Sequence, residues 1–147
     1  MNDKLLNFDH VRTPEQRALM EKIRADGVCP FCKEHLKEYH PRPIIRETDF
    51  WFLTTNMNPY EGTKYHFLFI YKLSHVRFPH DIAREARIDL FDLVDSVIHE
   101  HQIPGASFFM RFGDTRYNGS SVEHLHAHLI VGDVDAPNHE PVRVKLG

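Results

Sequence analysis

Three histidines separated by single aliphatic residues, His124-Leu125-His126-Ala127-His128-Leu129-Ile130, constrain this chain more than any other stretch. In an extended strand, successive side chains point to opposite faces. Strict alternation therefore puts His124, His126 and His128 on one face and Leu125, Ala127 and Leu129 on the other. The aliphatic row needs a core to cover it, so the segment reads as a strand of a half-buried sheet. At a rise of ~3.3 Å per residue the imidazoles would line roughly 13 Å, enough to meet successive groups of an extended phosphate chain. Packing alone does not account for such a row, because each buried ring needs polar partners. Two chemistries do: a metal ion held by all three rings, or one nucleophilic imidazole whose neighbours orient and polarise a phosphate.

The rest of the chain supplies a sheet to hold that strand. Phe50 to Thr54, Tyr65 to Tyr71, Ser107 to Phe112 and Glu123 to Val131 are aromatic and β-branched runs bounded by turns. Residues 82–101 carry Ile82, Ala86, Leu90, Val94, Val97 and Ile98 near one stripe and read as the clearest helix. An earlier helix starts at Thr13, with Pro14 in the first position and Gln16 three residues after the cap, and stops at Gly27. Strands grouped around one long helix indicate an α+β fold with a mostly antiparallel sheet. With 147 residues and 41% hydrophobic side chains the chain suits one domain, residues 13–147, preceded by an arm of no clear period at 1–12.

Composition narrows the partners. A net charge of −3 gives no case for nucleic acid bound by bulk charge. The longest apolar run, Phe67 to Tyr71, is far too short to span a bilayer. The opening MNDKLLNFDH lacks the apolar centre of a secretion signal, and two cysteines make a poor disulfide framework. The expectation is a reducing, cytoplasmic setting without nucleic acid or membrane.

Several side chains are candidates for work beside the histidines. Asn118, Ser120 and Ser121 sit in Tyr117-Asn118-Gly119-Ser120-Ser121. Gly119 lets the backbone approach a phosphate, and the hydroxyls and amides can donate to its oxygens. A nucleophilic imidazole also needs its far nitrogen protonated and held by an acceptor such as a carbonyl. Cys29-Pro30-Phe31-Cys32 is either a redox pair or half of a zinc site. The strand-rich surroundings speak against the redox reading, which wants a following helix in a βαβ setting.

The pattern His-φ-His-φ-His-φ-φ, with φ apolar, resembles the signature of the histidine triad (HIT) nucleotide hydrolases and transferases, and it holds here through Ile130. The resemblance runs from about Cys29 to Val131. It implies the family's fold, about five antiparallel strands with two helices, and a homodimer paired across a two-fold axis. It implies that His126 is the nucleophile, attacking an α-phosphorus to give a nucleotidyl-histidine, with His128 on the phosphate oxygens. Tyr65-His66-Phe67-Leu68-Phe69-Ile70-Tyr71-Lys72-Leu73-Ser74-His75 resembles the strand and basic turn that bring a further active-site histidine, His66. Ser121 matches the small hydroxyl residue before the triad. Asn56-Met57-Asn58-Pro59-Tyr60 is similar to a loop of branches that handle dinucleoside polyphosphates, which implies a ribose contact for Asn56. Phe50 and Phe52 are candidates for the base pocket. Some members bind structural zinc, and the implied ligand set is Cys29, Cys32, His75 and His124. His35, His40, His80, His99, His101 and His139 read as surface residues. After the triad, Val131-Gly132-Asp133 replaces the Pro-Arg common in relatives. Dinucleoside polyphosphates and nucleoside phosphoramidates are the substrate classes so implied. A zinc hydrolase built on the three histidines and a non-enzymatic nucleotide- or zinc-binding module are the alternatives.

Overall fold

The computed structural model describes residues 5–147, so the first four residues of the expected arm lie outside the described ones. Five strands form one antiparallel sheet: β1 (Arg46–Glu47), β2 (Trp51–Thr55), β3 (Thr63–Tyr71), β4 (Ser107–Arg111) and β5 (His126–Gly132). Their order across the sheet is β1-β2-β3-β5-β4, which places the histidine strand between two neighbours. The helices are α1 (Pro14–Asp26), α2 (Leu36–Tyr39), α3 (Arg84–Glu100) and α4 (Thr115–Asn118).

Local signals account for the two long helices. Thr13 accepts a hydrogen bond from the Gln16 amide at 3.0 Å, Pro14 occupies the first turn, and Gly27 ends α1 in the left-handed region at φ 68°. The single-turn helices α2 and α4 are additions to the two the sequence suggests; each has too few apolar positions to show a period. The two-residue β1 also escapes sequence reading, being held by pairing with β2 rather than by its own composition.

The sheet divides the molecule in two. On one face, Trp51, Leu53, Phe67, Phe69, Leu125, Ala127 and Leu129 pack against Ala86, Leu90, Leu93 and Val97 of α3. Trp51 is fully buried, and its indole N–H donates to the Ala86 carbonyl at 2.8 Å. The other face carries Phe52, Leu68 and Ile70, covered by Leu36 of α2, Phe31 and Ile44. His126 and His128 belong to this second face. Phe52 is part of that small core, so it does not wall a pocket as the sequence suggested.

The histidine strand is shorter than expected, beginning at His126 instead of Glu123. Leu125 exchanges backbone hydrogen bonds with Val76 and Tyr71, its N–H donating to Val76 O at 2.9 Å and its carbonyl accepting from Tyr71 N at 3.2 Å. His124 therefore precedes the strand and leaves the alternation. The row of three equivalent imidazoles is two, His126 and His128, with ring centroids 5.1 Å apart.

Candidate active site

Residues directly opposite one another in an antiparallel pair share a face. Ile70 and Arg111 thus flank His126, while Leu68 and Phe109 flank His128. The Phe109 ring stacks on His128 at 4.8 Å, and Phe31 stands edge-on to His126 at 5.1 Å.

His126 meets the tautomer requirement. Its Nδ1 lies 2.6 Å from the His124 carbonyl, which can only accept, so Nδ1 carries the proton and Nε2 keeps its lone pair. Burial holds the ring's pKa down, to about 3, with that hydrogen bond opposing the shift and Arg111 adding to it.

A second chain of bonds sets His128. The Tyr60 amide donates to His66 Nδ1 at 3.3 Å, so a neutral His66 carries its proton on Nε2. That nitrogen is 2.8 Å from His128 Nδ1, which must then accept, leaving the His128 proton on Nε2. His128 Nε2 is buried and has no hydrogen-bond partner among the described residues. A buried N–H without a partner is costly, and an anionic oxygen in the cleft would satisfy it. Burial keeps His66 near 4 and His128 well below the usual imidazole range, and Arg12 and Arg111 push both the same way.

The cleft over these rings is lined by the apolar Leu19, Met20 and Ile23 of α1 and by Phe31, together with His126, His128, Ser121 and Arg111. Apolar side chains together with polar, cationic ones suit a molecule with a flat apolar part and an anionic part. α1 provides the apolar wall that the sequence suggested for Phe50 and Phe52.

The turn before β5 is used differently from its sequence appearance. Asn118 Nδ2 donates to Phe112 O and its Oδ1 accepts from the Ser120 amide, both at 2.8 Å, so this side chain builds the turn. Ser120 Oγ donates to Val122 O at 2.8 Å. Gly119, at φ 72°, has no room for a side chain, since a Cβ would run into the Lys145 carbonyl. Ser120 and Ser121 line the cleft with Asn56, whose Nδ2 lies 3.2 Å from His66 Nε2 and whose Oδ1 accepts from Asn58 N.

Four lining residues were not singled out in the sequence. His10 contacts the Ser120 carbonyl at 2.9 Å, Arg12 reaches Asn58 O and Pro59 O, and Lys145 comes from the tail. Arg111 is only 3% exposed. A guanidinium inside the aromatic run Phe108-Phe109-Met110-Arg111-Phe112 was a readable signal, because arginine is rarely buried without a partner. His40, taken for a surface residue, is buried too. Its Nε2 donates to Thr54 Oγ1 at 3.0 Å, the threonine hydroxyl being committed to Pro43 O. Burial pushes His40 down to about 4.

Cys29, Cys32, His75 and His124 come together at the other end of this strand, their potential ligand atoms all within 4.8 Å of one another. Cys29 Sγ lies 3.4 Å and Cys32 Sγ 3.8 Å from His124 Nδ1, and Cys32 Sγ lies 3.7 Å from His75 Nδ1. Zn–S near 2.3 Å and Zn–N near 2.05 Å at tetrahedral angles require S···N edges of about 3.6 Å. The observed separations fit. His124 Nε2 donates to the Tyr71 carbonyl at 2.8 Å, which frees Nδ1 as a ligand and fixes the ring. Because His124 turns to the cysteines, the three histidines do not converge on one point, and the reading of a catalytic zinc held by all three is withdrawn.

The fold is similar to those of solved structures. No curated protein matches the sequence. Among solved structures, a HIT family hydrolase from Clostridium thermocellum is 27% identical, with a TM-score of 0.53 over 70% of this chain and 90% of that one. A histidine triad protein from Clostridium difficile shares the fold at 23% identity, TM-score 0.52, over 71% of this chain and 90% of that one. A histidine triad nucleotide-binding protein from Candida albicans does so at 21% identity, TM-score 0.55, over 75% of this chain and 81% of that one. The sequence profile described as the HIT domain matches residues 37–135, well over half of the chain, and the protein belongs to the HIT family.

Proposed function

We propose that this protein is a nucleotide hydrolase or nucleotidyl transferase in which His126 attacks a nucleoside α-phosphorus. The observation that carries the proposal is the His126 Nδ1 hydrogen bond to the His124 carbonyl, which leaves Nε2 as the free nitrogen of a ring lining the cleft. The base lies against the apolar wall from α1 and the phosphate beside His126 and His128. The Nε2 lone pair forms the P–N bond as the bond to the leaving group breaks and that group departs with its electron pair. The positive charge created on the ring is held by the His124 carbonyl. His128 Nε2–H and the Ser121 hydroxyl donate to the phosphoryl oxygens, stabilising charge as it develops. Water or another acceptor then attacks phosphorus and releases its proton to solvent, and the P–N electrons return to Nε2. Dinucleoside polyphosphates and nucleoside phosphoramidates are the substrates to try.

Cys29, Cys32, His75 and His124 would hold zinc as a closed shell, whose contribution is structural: it ties the segment before α2 to the strand carrying His126. The two free thiols suit a reducing compartment such as the cytoplasm. No helix among the described residues is long and apolar enough to cross a membrane. We take residues 13–147 as one domain and the arm as part of its site. β4 is an edge strand, Phe91 of α3 lies 5.7 Å from Phe108 in it and is 60% exposed, and Ile88 of the same helix is 52% exposed. An open edge with apolar neighbours favours pairing of two copies through β4. A Phe91→Asp variant should then sediment as a monomer, and unchanged sedimentation would remove that assignment.

The test of the chemistry is direct. Incubation with a diadenosine polyphosphate or an adenosine phosphoramidate should give an acid-labile adenylyl group, detected as a mass increase on the intact chain. His126→Ala should lose the adduct and His35→Ala keep it. Native turnover by His126→Ala would sink the proposal.

A further inference from the structure

The cleft holds more positive charge than one phosphate needs. Arg111 is buried within the sheet, and among the described residues no carboxylate forms an ion pair with it. Its Nη1 donates to the Asn118 and Lys145 carbonyls, and its Nη2 donates to Tyr60 Oη at 2.7 Å and to Lys145 O at 3.3 Å. Arg12 arrives from the arm on the same tyrosine. Its guanidinium carbon sits 4.6 Å from the centre of the Tyr60 ring, and the hydrogen bonds of the guanidinium among the described residues are to the Asn58 and Pro59 carbonyls alone. One ring thus joins two guanidiniums, neither with an acidic partner. That ring also lies parallel to His128 with centroids 6.2 Å apart, so the pair adjoins the unpartnered His128 Nε2. Of the cleft's lining side chains only Asp9 is acidic, and it is exposed.

A latch between a turn and a tail does not need a charge. Carbonyl and hydroxyl acceptors can be met by a neutral amide, whereas burying a guanidinium without a counter-ion leaves its desolvation uncompensated. The cost is offset when an anion arrives.

We propose that Arg111 and Arg12, joined through Tyr60, form a second anion subsite beside His126 that binds the phosphates attached to the one under attack. The subsite rests on the reading of His126 as a nucleophile at a nucleoside phosphate. It makes the number of consecutive phosphates the property this chain selects for: a substrate leaving as a phosphate or polyphosphate engages both guanidiniums, and one leaving as an amine engages neither.

Equilibrium titration of the full chain with AMP, with non-hydrolysable ADP and ATP analogues, and with inorganic tripolyphosphate tests this without turnover. Charge-assisted hydrogen bonds of this kind change affinity on the order of 10- to 100-fold each. The ATP analogue should therefore bind at least about 100-fold more tightly than AMP, and tripolyphosphate should compete with it. Arg12→Gln and Arg111→Gln should each compress the ratio of the two affinities to roughly a tenth of its value or less. Equal binding of AMP and the ATP analogue overturns the subsite, as does a ratio unchanged in Arg12→Gln, which tests it even if Arg111→Gln does not fold. A lowered melting temperature of Arg111→Gln with the ratio intact makes Arg111 a latch and also overturns it. The ladder is independent of the adduct: loss of the adenylyl group with the ladder intact rejects the nucleophile reading alone.

Discussion

Two histidine clusters lie at the two ends of one short segment, and they differ in which ring nitrogen the backbone has occupied. At His124, the Tyr71 carbonyl takes Nε2–H and Nδ1 faces two sulfurs and His75. At His126, the His124 carbonyl takes Nδ1–H and Nε2 is left free on a ring that lines the cleft. The residues are two apart and chemically identical. A carbonyl acceptor on one nitrogen selects the tautomer, and the tautomer decides whether the other nitrogen meets soft ligands or a cleft. One cluster becomes a candidate staple and the other a candidate nucleophile.

The comparison breaks most sharply by substitution at its two ends. His126→Ala should reduce turnover by on the order of 10³-fold or more, as expected for loss of a nucleophile, with little change in melting temperature. His124→Ala should do the reverse. The carbonyl that orients His126 is main chain and survives, so activity of the folded protein should stay within about tenfold, while chelator-sensitive thermal stability is lost. Kinetics and thermal melts of both variants decide it, and equal losses of activity would show that the two clusters do not act separately.

A smaller effect is expected at His66, which acts on substrate only through His128. Replacing it by Leu removes the bond that fixes the His128 tautomer. A drop in kcat of about 10- to 100-fold is expected, by analogy with second-shell partners of metal-bound histidines, with the adenylyl adduct still forming. A His66→Leu enzyme at full speed would show that the His66–His128 bond has no catalytic consequence.

The smallest effect concerns stability and pH. His40 stays neutral in the fold down to about 4, while in the unfolded chain it protonates near 6.5. Between those values the unfolded state binds more protons, so the contribution of His40 is complete above about 6.5 and is lost as pH falls toward 4. It is of order 2 kcal/mol. The His40→Gln variant should therefore show a flatter decline of melting temperature across that window. An identical slope in both proteins would place the acid sensitivity elsewhere, His66, His126 and His128 being the other imidazoles held down by burial.

Much of this was legible because it is local. Alternation marked β5, the Thr13-Pro14 start and Gly27 stop bounded α1, and the apolar stripe outlined α3. The spacing of Cys29 and Cys32 offered a redox pair or half of a zinc site, and the family resemblance named His75 and His124 as the other two ligands. What stayed hidden depends on which distant segments meet. Arg111 was one residue in a strand-like run until the sheet order set it beside His126. Arg12 lay in an arm with no period, and only its position over Tyr60 reveals its use. His40 looked like a loop residue because nothing nearby in sequence tells that Thr54 will receive its proton.

The sequence by itself determined that a histidine strand lies in a half-buried antiparallel sheet, since period-two alternation has no other use for its aliphatic row. It also determined the family and which imidazole to suspect. Only the tertiary structure decided that His124 leaves the row. The physical reason is that Leu125 bonds to Val76 and Tyr71, which ends the strand at His126 and turns one ring toward the cysteines. Tautomers, buried charge and shared clefts arise from carbonyls and side chains far apart in the chain, and no local pattern encodes them.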